Sequence, residues 1–503
     1  MKIGLRVALV TLAAAAGLGL VLESRSPDRD AELQFQLASL LYDDTRYQEA
    51  LEAYRKAAAS GDTRVSLRAR MGLVRSALRV AEFDEAHREA TVMRDAAPRN
   101  PEAIALHADA LWSAGLFDEA EAAFREALAI EPELSRGRHG LARSLASQRR
   151  LADALNEAQA ALKLAPRDGE IHHTVGAIYE KMHRFDEAAG AYTNFMNLLP
   201  NRDRSDKALW SRAQIRFLDA FRGREPLALD EASRGKLHTI AFRLDGDKVV
   251  VQGKVNGGRA RDFVLDTGSE LTTISRETAE QARARPITYT LSAGVGEVGL
   301  RGLMLTRMDT FEVGTLKVSN VPAMIKNPGL TGLPRAEIEA FSPLALGLSM
   351  TIDYASRQLI IGESLPEEAA GITLPMRLHR LAMVRGKVND RPGYFVVDTG
   401  GEVISISQTM ADALEAQPVG GRKIGLRVYG TSGWDRDAFL LQGLNLRFSD
   451  IAYDNFSVVV LNLRAPSVLL GFQVSGIVGH RFLSPYRVSL DLERSEVRMT
   501  KAD

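Results

Sequence analysis

The 503-residue chain contains no cysteine. That excludes disulfides, a thiol nucleophile, Cys-ligated zinc and a lipoprotein-type cysteine anchor. It does not fix the compartment, because exported proteins can lack disulfides. An excess of charge is missing too: 64 Lys and Arg balance 64 Asp and Glu, and the pI is near 7.2. Nothing therefore suggests a nucleic-acid footprint, which needs a basic face. No G-x-S-x-G, H-E-x-x-H or Walker pattern occurs. Gly294, Gly296 and Gly299 spell G-x-G-x-x-G, but a dinucleotide site needs that motif between a strand and a helix, and Leu300–Met308 reads as a strand. Long apolar runs are also scarce. The uncharged stretch Val7–Leu22 is 16 residues long, short of the roughly 20 that a spanning helix needs. Lys2 and Arg6 precede it, and Glu23-Ser24-Arg25 ends it.

A short basic region followed by an apolar stretch is an export signal. No small-x-small cleavage site follows it, so residues 1–30 are read as either a signal peptide or a membrane anchor. Either reading places the remainder outside the cytoplasm. Apolar content of 45% and charged content of 25% are those of an ordinary globular protein. The length suits about three domains.

From residue 31 to about 202 the pattern has a period of 34. Phe83, Phe117, Leu151 and Phe185 keep that spacing, as do Pro98, Pro132, Pro166 and Pro200. Phe117-Asp118-Glu119-Ala120 recurs as Phe83-Asp84-Glu85-Ala86 and Phe185-Asp186-Glu187-Ala188, with an offset copy at Tyr47-Gln48-Glu49-Ala50. This pattern resembles the tetratricopeptide repeat. Ala108, Ala120, Phe124, Ala127 and Pro132 fit the family's slots in one unit, and Gly176, Tyr179, Ala188, Tyr192 and Pro200 fit them in another. Five units are expected over 31–222, with Asp206–Phe221 as a capping helix, because a solenoid end must cover its last apolar face. The resemblance implies a groove that could hold a protein partner. Adjacent His172 and His173 point to different faces of a helix and have no third ligand, so no metal and no cofactor is expected.

After Arg222-Gly223-Arg224-Glu225-Pro226 the pattern becomes that of strands. Phe263-Val264-Leu265-Asp266-Thr267-Gly268-Ser269-Glu270 returns 132 residues later as Phe395-Val396-Val397-Asp398-Thr399-Gly400-Gly401-Glu402. Each copy continues to an Ile-Ser, at 274–275 and 406–407. One Asp-Thr-Gly would occur by chance in roughly one such chain in ten, but two with shared flanks indicate duplication. The units span about 237–363 and 371–503, joined by Gly362–Glu368. Ser275 and Ser407 read as N-caps of short helices over 276–284 and 408–416.

This half resembles the retropepsin-like and pepsin-like aspartic peptidases. The resemblance implies a multidomain α + β protein: an all-α solenoid, then two all-β lobes related by a pseudo-two-fold. It implies that Asp266 and Asp398 are the catalytic pair, sharing one proton and activating a water. Thr267, Gly268, Ser269, Thr399 and Gly400 would support the two loops. Gly294, Val295 and Gly296 in one lobe, and Gly430, Thr431, Ser432 and Gly433 in the other, would be substrate flaps. A hydrophobic-hydrophobic-Gly stretch marks lobe two at Ile477-Val478-Gly479. Lobe one departs, offering only Leu330-Thr331-Gly332 or Ala345-Leu346-Gly347. Gly401 also departs, having no hydroxyl where Ser269 has one. On that ground Asp398 is expected to be the more readily protonated partner. Glu270 and Glu402 are expected to be exposed or paired with an Arg.

The function this implies is an exported aspartic endopeptidase of the bacterial periplasm or the periplasmic face of the inner membrane, with the repeats recruiting a protein or peptide substrate. Removing residues 31–222 would then spare cleavage of a short peptide. The alternative is a non-catalytic peptide-binding scaffold with a degenerate protease fold. Lobes could also pair between molecules.

Overall fold

The computed structural model describes residues 27–199, 205–296, 300–326, 339–367, 371–414, 424–430 and 432–501. The apolar N-terminal stretch, Pro200, Gly299, Leu330-Thr331-Gly332, Glu368, residues 415–416 and Thr431 lie outside the described residues. Among the described residues no helix is long and apolar enough to cross a membrane.

Helices α1 (Pro27–Asp43), α2 (Tyr47–Ala58), α3 (Thr63–Arg79), α4 (Phe83–Ala96), α5 (Pro101–Ser113), α6 (Phe117–Ile130), α7 (Ser135–Ser147), α8 (Leu151–Leu164), α9 (Gly169–Lys181) and α10 (Phe185–Leu198) form five hairpins, and α11 (Asp206–Asp219) follows. Some starts carry side-chain caps: Asp62 accepts from the N–H groups of Arg64 and Val65, and Asp168 from that of Glu170. Close packing explains the small residues. A Cβ on Gly176 would lie 2.7 Å from the Tyr192 ring. Each of four hairpins turns through one residue in the left-handed region, at Ala81, Gly115, Arg149 and His183. These keep the 34-residue spacing.

The chain forms two compact units, one up to Ala110 and one from Leu111 onward. In the first, Leu51, Leu73, Val74 and Met93 pack with the alanines of α2 to α5. The second unites α6 to α11 with both β lobes, so the compact units do not divide where the composition changes near residue 222. Phe117 packs on Tyr394 and Phe472, with ring centroids 4.8 and 4.9 Å apart. Phe185, Tyr192, Phe217 and Phe221 pack with Leu305 of lobe one, and Leu271, Ile287 and Met324 lie against them.

The two lobes repeat one topology. In lobe one, Arg261–Leu265 lies between Lys248–Val255, antiparallel, and Glu339–Phe341, parallel. In lobe two, Arg391–Val397 lies likewise between Ala382–Val388 and Gly476–Val478. Alternation at Val249, Val251 and Val255 turns valines into a core that also holds Phe263, Phe311, Phe341, Phe395 and Phe448. The closing strands Ser349–Asp353 and Tyr486–Asp491 pair with each other in antiparallel fashion. Thr351 stands opposite Ser489, and their hydroxyls lie 2.8 Å apart. The neighbouring pairs, 350 with 490 and 352 with 488, are related by exchanging the lobes. The pseudo-two-fold therefore passes between Thr351 and Ser489.

Candidate active site

Strands Arg261–Leu265 and Arg391–Val397 run out at the two aspartates. The Asp266 N–H donates to the Phe341 carbonyl at 2.9 Å, and the Asp398 N–H to the Val478 carbonyl at 3.0 Å. The threonines then cross. Thr267 Oγ1 donates to the Val397 carbonyl at 2.6 Å and accepts from the Thr399 N–H at 3.1 Å. Thr399 Oγ1 donates to the Leu265 carbonyl at 2.8 Å and accepts from the Thr267 N–H at 3.1 Å. Both threonines are buried. Each loop is thus tied to the opposite lobe, and glycine is required beside each tie. A Cβ on Gly268 would lie 2.6 Å from Asp398 Cγ, and one on Gly400 2.7 Å from Asp266 Oδ1. The structure brings Asp266 and Asp398 together within one chain, with Thr267, Gly268, Thr399 and Gly400 around them.

The two carboxyl groups are half-buried and close enough for the charge of one to act on the other. Their surroundings differ. Asp398 Oδ1 accepts from the N–H groups of Gly400 at 2.8 Å and Gly401 at 3.1 Å. Asp266 has a backbone bond from Gly268. Burial, then the charge of Asp398, push Asp266 up to about 7, and Lys326 only partly offsets this. Burial also raises Asp398, while its backbone donors and Asp266 act the other way. Two backbone donors on Asp398 against one on Asp266 favour the charge on Asp398 and the proton on Asp266. This reverses the sequence-based expectation, for two reasons. The Ser269 hydroxyl turns away and donates to the Leu271 carbonyl at 2.7 Å. Gly401 supplies its backbone N–H instead of a side chain.

The missing mark of lobe one is also located. Ala340-Phe341-Ser342 occupies the place of Ile477-Val478-Gly479, by strand register and by the bond to Asp266. Of the two sequence candidates, Leu330-Thr331-Gly332 lies outside the described residues, and Ala345-Leu346-Gly347 closes a short 3-10 helix further on, with Gly347 left-handed. Gly479 packs so closely that a Cβ would lie 2.7 Å from the Gly401 carbonyl oxygen. Ser342 replaces it in lobe one, which is why the pattern could not be read there.

The two flap tips meet. The Gly294 N–H donates to Ser432 Oγ at 3.1 Å, and the Ser432 N–H to the Val295 carbonyl at 3.0 Å. A Cβ on Gly430 would lie 2.3 Å from the Val295 oxygen, and one on Gly296 2.4 Å from the Ser432 carbonyl carbon. Gly433 pairs with Gly430 across the second hairpin. Glu270 forms an ion pair with Arg380, whereas Glu402 is exposed. Among the described residues no cluster of His, Asp or Glu could hold a metal ion. His173 is enclosed by Tyr192, Phe195 and Trp210.

Sequence reasoning missed the residues that dock the repeats on lobe two. Arg377 bonds Asp118 and, at 3.1 Å, Glu121. Arg385 bonds Asp118 and Glu119, and the Tyr394 hydroxyl donates to Asp118 at 2.9 Å. Burial alone would raise Asp118, but these donors hold it below the usual carboxylate range.

Comparison with known proteins agrees with this geometry. Residues 251–363 match the aspartyl protease family, and residues 384–474 the putative aspartyl protease of gag polyproteins. Residues 111–178 match the tetratricopeptide repeat. The chain thus joins tetratricopeptide repeats to a retropepsin-like aspartyl protease half. Similar solved structures include a thermophilic tetratricopeptide repeat protein of Thermus thermophilus, 18% identical over 38% of this chain and 99% of that one, with a TM-score of 0.32. YrrB, described as having an unusual peptide-binding site, is 18% identical over 34% of this chain and 88% of that one, with a TM-score of 0.23. Yeast Tom70 is 18% identical over 38% of this chain and 40% of that one, with a TM-score of 0.28. No curated protein matches.

Proposed function

We propose that this protein is an exported aspartic endopeptidase, active in the bacterial periplasm or on the periplasmic face of the inner membrane. The observation that carries the reading is the juxtaposition of Asp266 and Asp398 by the crossed Thr267 and Thr399 bonds, with unequal donors on the two carboxyls. Asp398, ionised, takes a proton from a water held between the carboxyl groups. That water attacks the peptide carbonyl, and Asp266 gives its proton to the carbonyl oxygen. The tetrahedral species then collapses with cleavage of the C–N bond and protonation of the amine. Export rests on Lys2, Arg6 and the uncharged run Val7–Leu22. The repeats bring a protein or peptide to the lobes.

The test is cleavage of an unstructured protein by the wild type, Asp266→Asn and Asp398→Asn. Asn keeps the shape but cannot share the proton, so each variant should lose about a thousandfold or more while its circular dichroism stays unchanged. Lobe one's Ser342 and the turned-away Ser269 favour a second reading, a peptide-binding scaffold that does not cut. Peptide binding without turnover in the wild type would establish it.

A further inference from the structure

The Asp266 loop is gripped from the solenoid side and the Asp398 loop is not. Glu270 pairs with Arg380, which stands between strands Ile372–Leu378 and Ala382–Val388. The Arg380 guanidinium lies 5.5 Å from the ring centroid of Trp210 on α11 and donates to the Leu469 carbonyl at 3.4 Å. Trp210 in turn stands edge-on to Tyr192, with centroids 5.5 Å apart. The Tyr192 hydroxyl donates to Glu180 on α9 at 3.0 Å, and Gln214 donates to the same carboxylate at 2.7 Å. A second contact runs in parallel: Leu271, next to Glu270, packs against the cluster of Phe185, Tyr192, Phe217 and Phe221. In the duplicated loop Glu402 is exposed and has no ion pair among the described residues.

Resting on the protease reading, we propose that Trp210 is a positioning residue for the dyad: it fixes Arg380, and Arg380 fixes the Asp266 loop through Glu270. A side chain of the last helix of the repeat region thereby sets the geometry of one aspartate alone. An arginine held over an indole face by cation–π attraction keeps its direction. Without the ring, Arg380 has other rotamers to adopt and the loop loses one of its two outside restraints.

Two measurements test this on the full-length protein. In hydrogen exchange, Trp210→Leu should speed exchange over residues 266–271 and leave 398–403 unchanged, while Trp210→Phe, which keeps a ring face, should resemble the wild type. Unchanged exchange over 266–271, or equal acceleration in both loops, overturns the proposal, whether or not the protein proves to be a peptidase. In peptide hydrolysis, Trp210→Leu should lower kcat about tenfold with KM within about twofold, since a displaced catalytic group costs turnover and not uniform binding. Arg380→Gln should do the same, and the double variant should cost little more than either. Unchanged kcat, a rise confined to KM, or a multiplied loss in the double variant overturns it. A wild type that does not cleave at all counts against the protease reading, and the exchange experiment still decides the positioning role.

Discussion

Asp266 and Asp398 share the Asp-Thr-Gly phrase but not their surroundings, because backbone donors and burial act on each carboxyl separately. The pH dependence follows from that difference. Asp266 is raised from 3.8 to about 7. A raised carboxyl favours the fold while neutral, so its stabilising contribution is complete below about pH 4 and is lost as pH rises through about 7. Two outcomes are expected. Cleavage should be greatest on the acid side of neutral and decline through about pH 7, as Asp266 loses the proton it must donate. Asp266→Asn, which cannot ionise, should be more stable than the wild type at pH 8 by on the order of 2 kcal/mol, with the gain vanishing near pH 4. Urea unfolding at both pH values checks this. A stability gain that is larger at pH 4 would place the proton on the other carboxyl.

At the scale of elements, one hairpin turn has a second duty. The turns at Ala81, Gly115, Arg149 and His183 share a left-handed residue, and alanine is accepted at the first. Glycine at 115 is therefore not demanded by φ. A Cβ there would lie 2.5 Å from the Gln473 carbonyl oxygen, whose own N–H donates to the Ser113 carbonyl at 2.8 Å. Gly115→Ala should destabilise the protein by about 1–3 kcal/mol, measurable by chemical denaturation, whereas Ala81→Gly should change it far less. Asp118→Ala should cost about 1–3 kcal/mol, because Arg377 keeps Glu121 while Arg385 and the Tyr394 hydroxyl each lose a partner. What was legible in the sequence follows the same logic. The aspartate loops were readable because they occur twice with matched flanks, and the N-caps Ser275 and Ser407 because capping is local: they accept from Thr278 and Met410. Ala340-Phe341-Ser342 was not, because a serine stands where the pattern asks for glycine. Asp118 was not, because Phe-Asp-Glu-Ala recurs in three repeats and nothing in the motif marks the copy at 117–120 as the one that meets Arg377 and Arg385. Partners distant in sequence leave no periodic trace.

At the scale of the molecule, the repeats from α6 onward are part of the body that carries the dyad. Besides the Asp118 cluster, Ser495 Oγ donates to the Gln148 carbonyl at 2.6 Å, Arg307 to the Ala220 carbonyl at 2.8 Å, and Lys181 to the Leu378 carbonyl. Burial pushes the Lys181 amine down to about 7. Removing residues 31–222 would strip Phe117, Phe185, Tyr192, Phe217 and Phe221 from their partners and leave Arg377 and Tyr394 without Asp118. The independent-recruiter expectation therefore gives way to its opposite: such a chain should be insoluble or inactive even on a short peptide. A chain beginning at Asn100 should behave differently. It keeps the cap of α5, where Asn100 Oδ1 accepts from the Ala103 N–H at 3.1 Å, and every contact named above. Its cost is exposure of Ala103, Leu106 and Ala110, whose alanines carry little apolar area. Short-peptide turnover by the Asn100 chain should stay within about threefold of the full-length value, since no group that orients the dyad is removed. Activity in a chain beginning at residue 223, equal to that of the Asn100 chain, would show that the protease half stands without the solenoid.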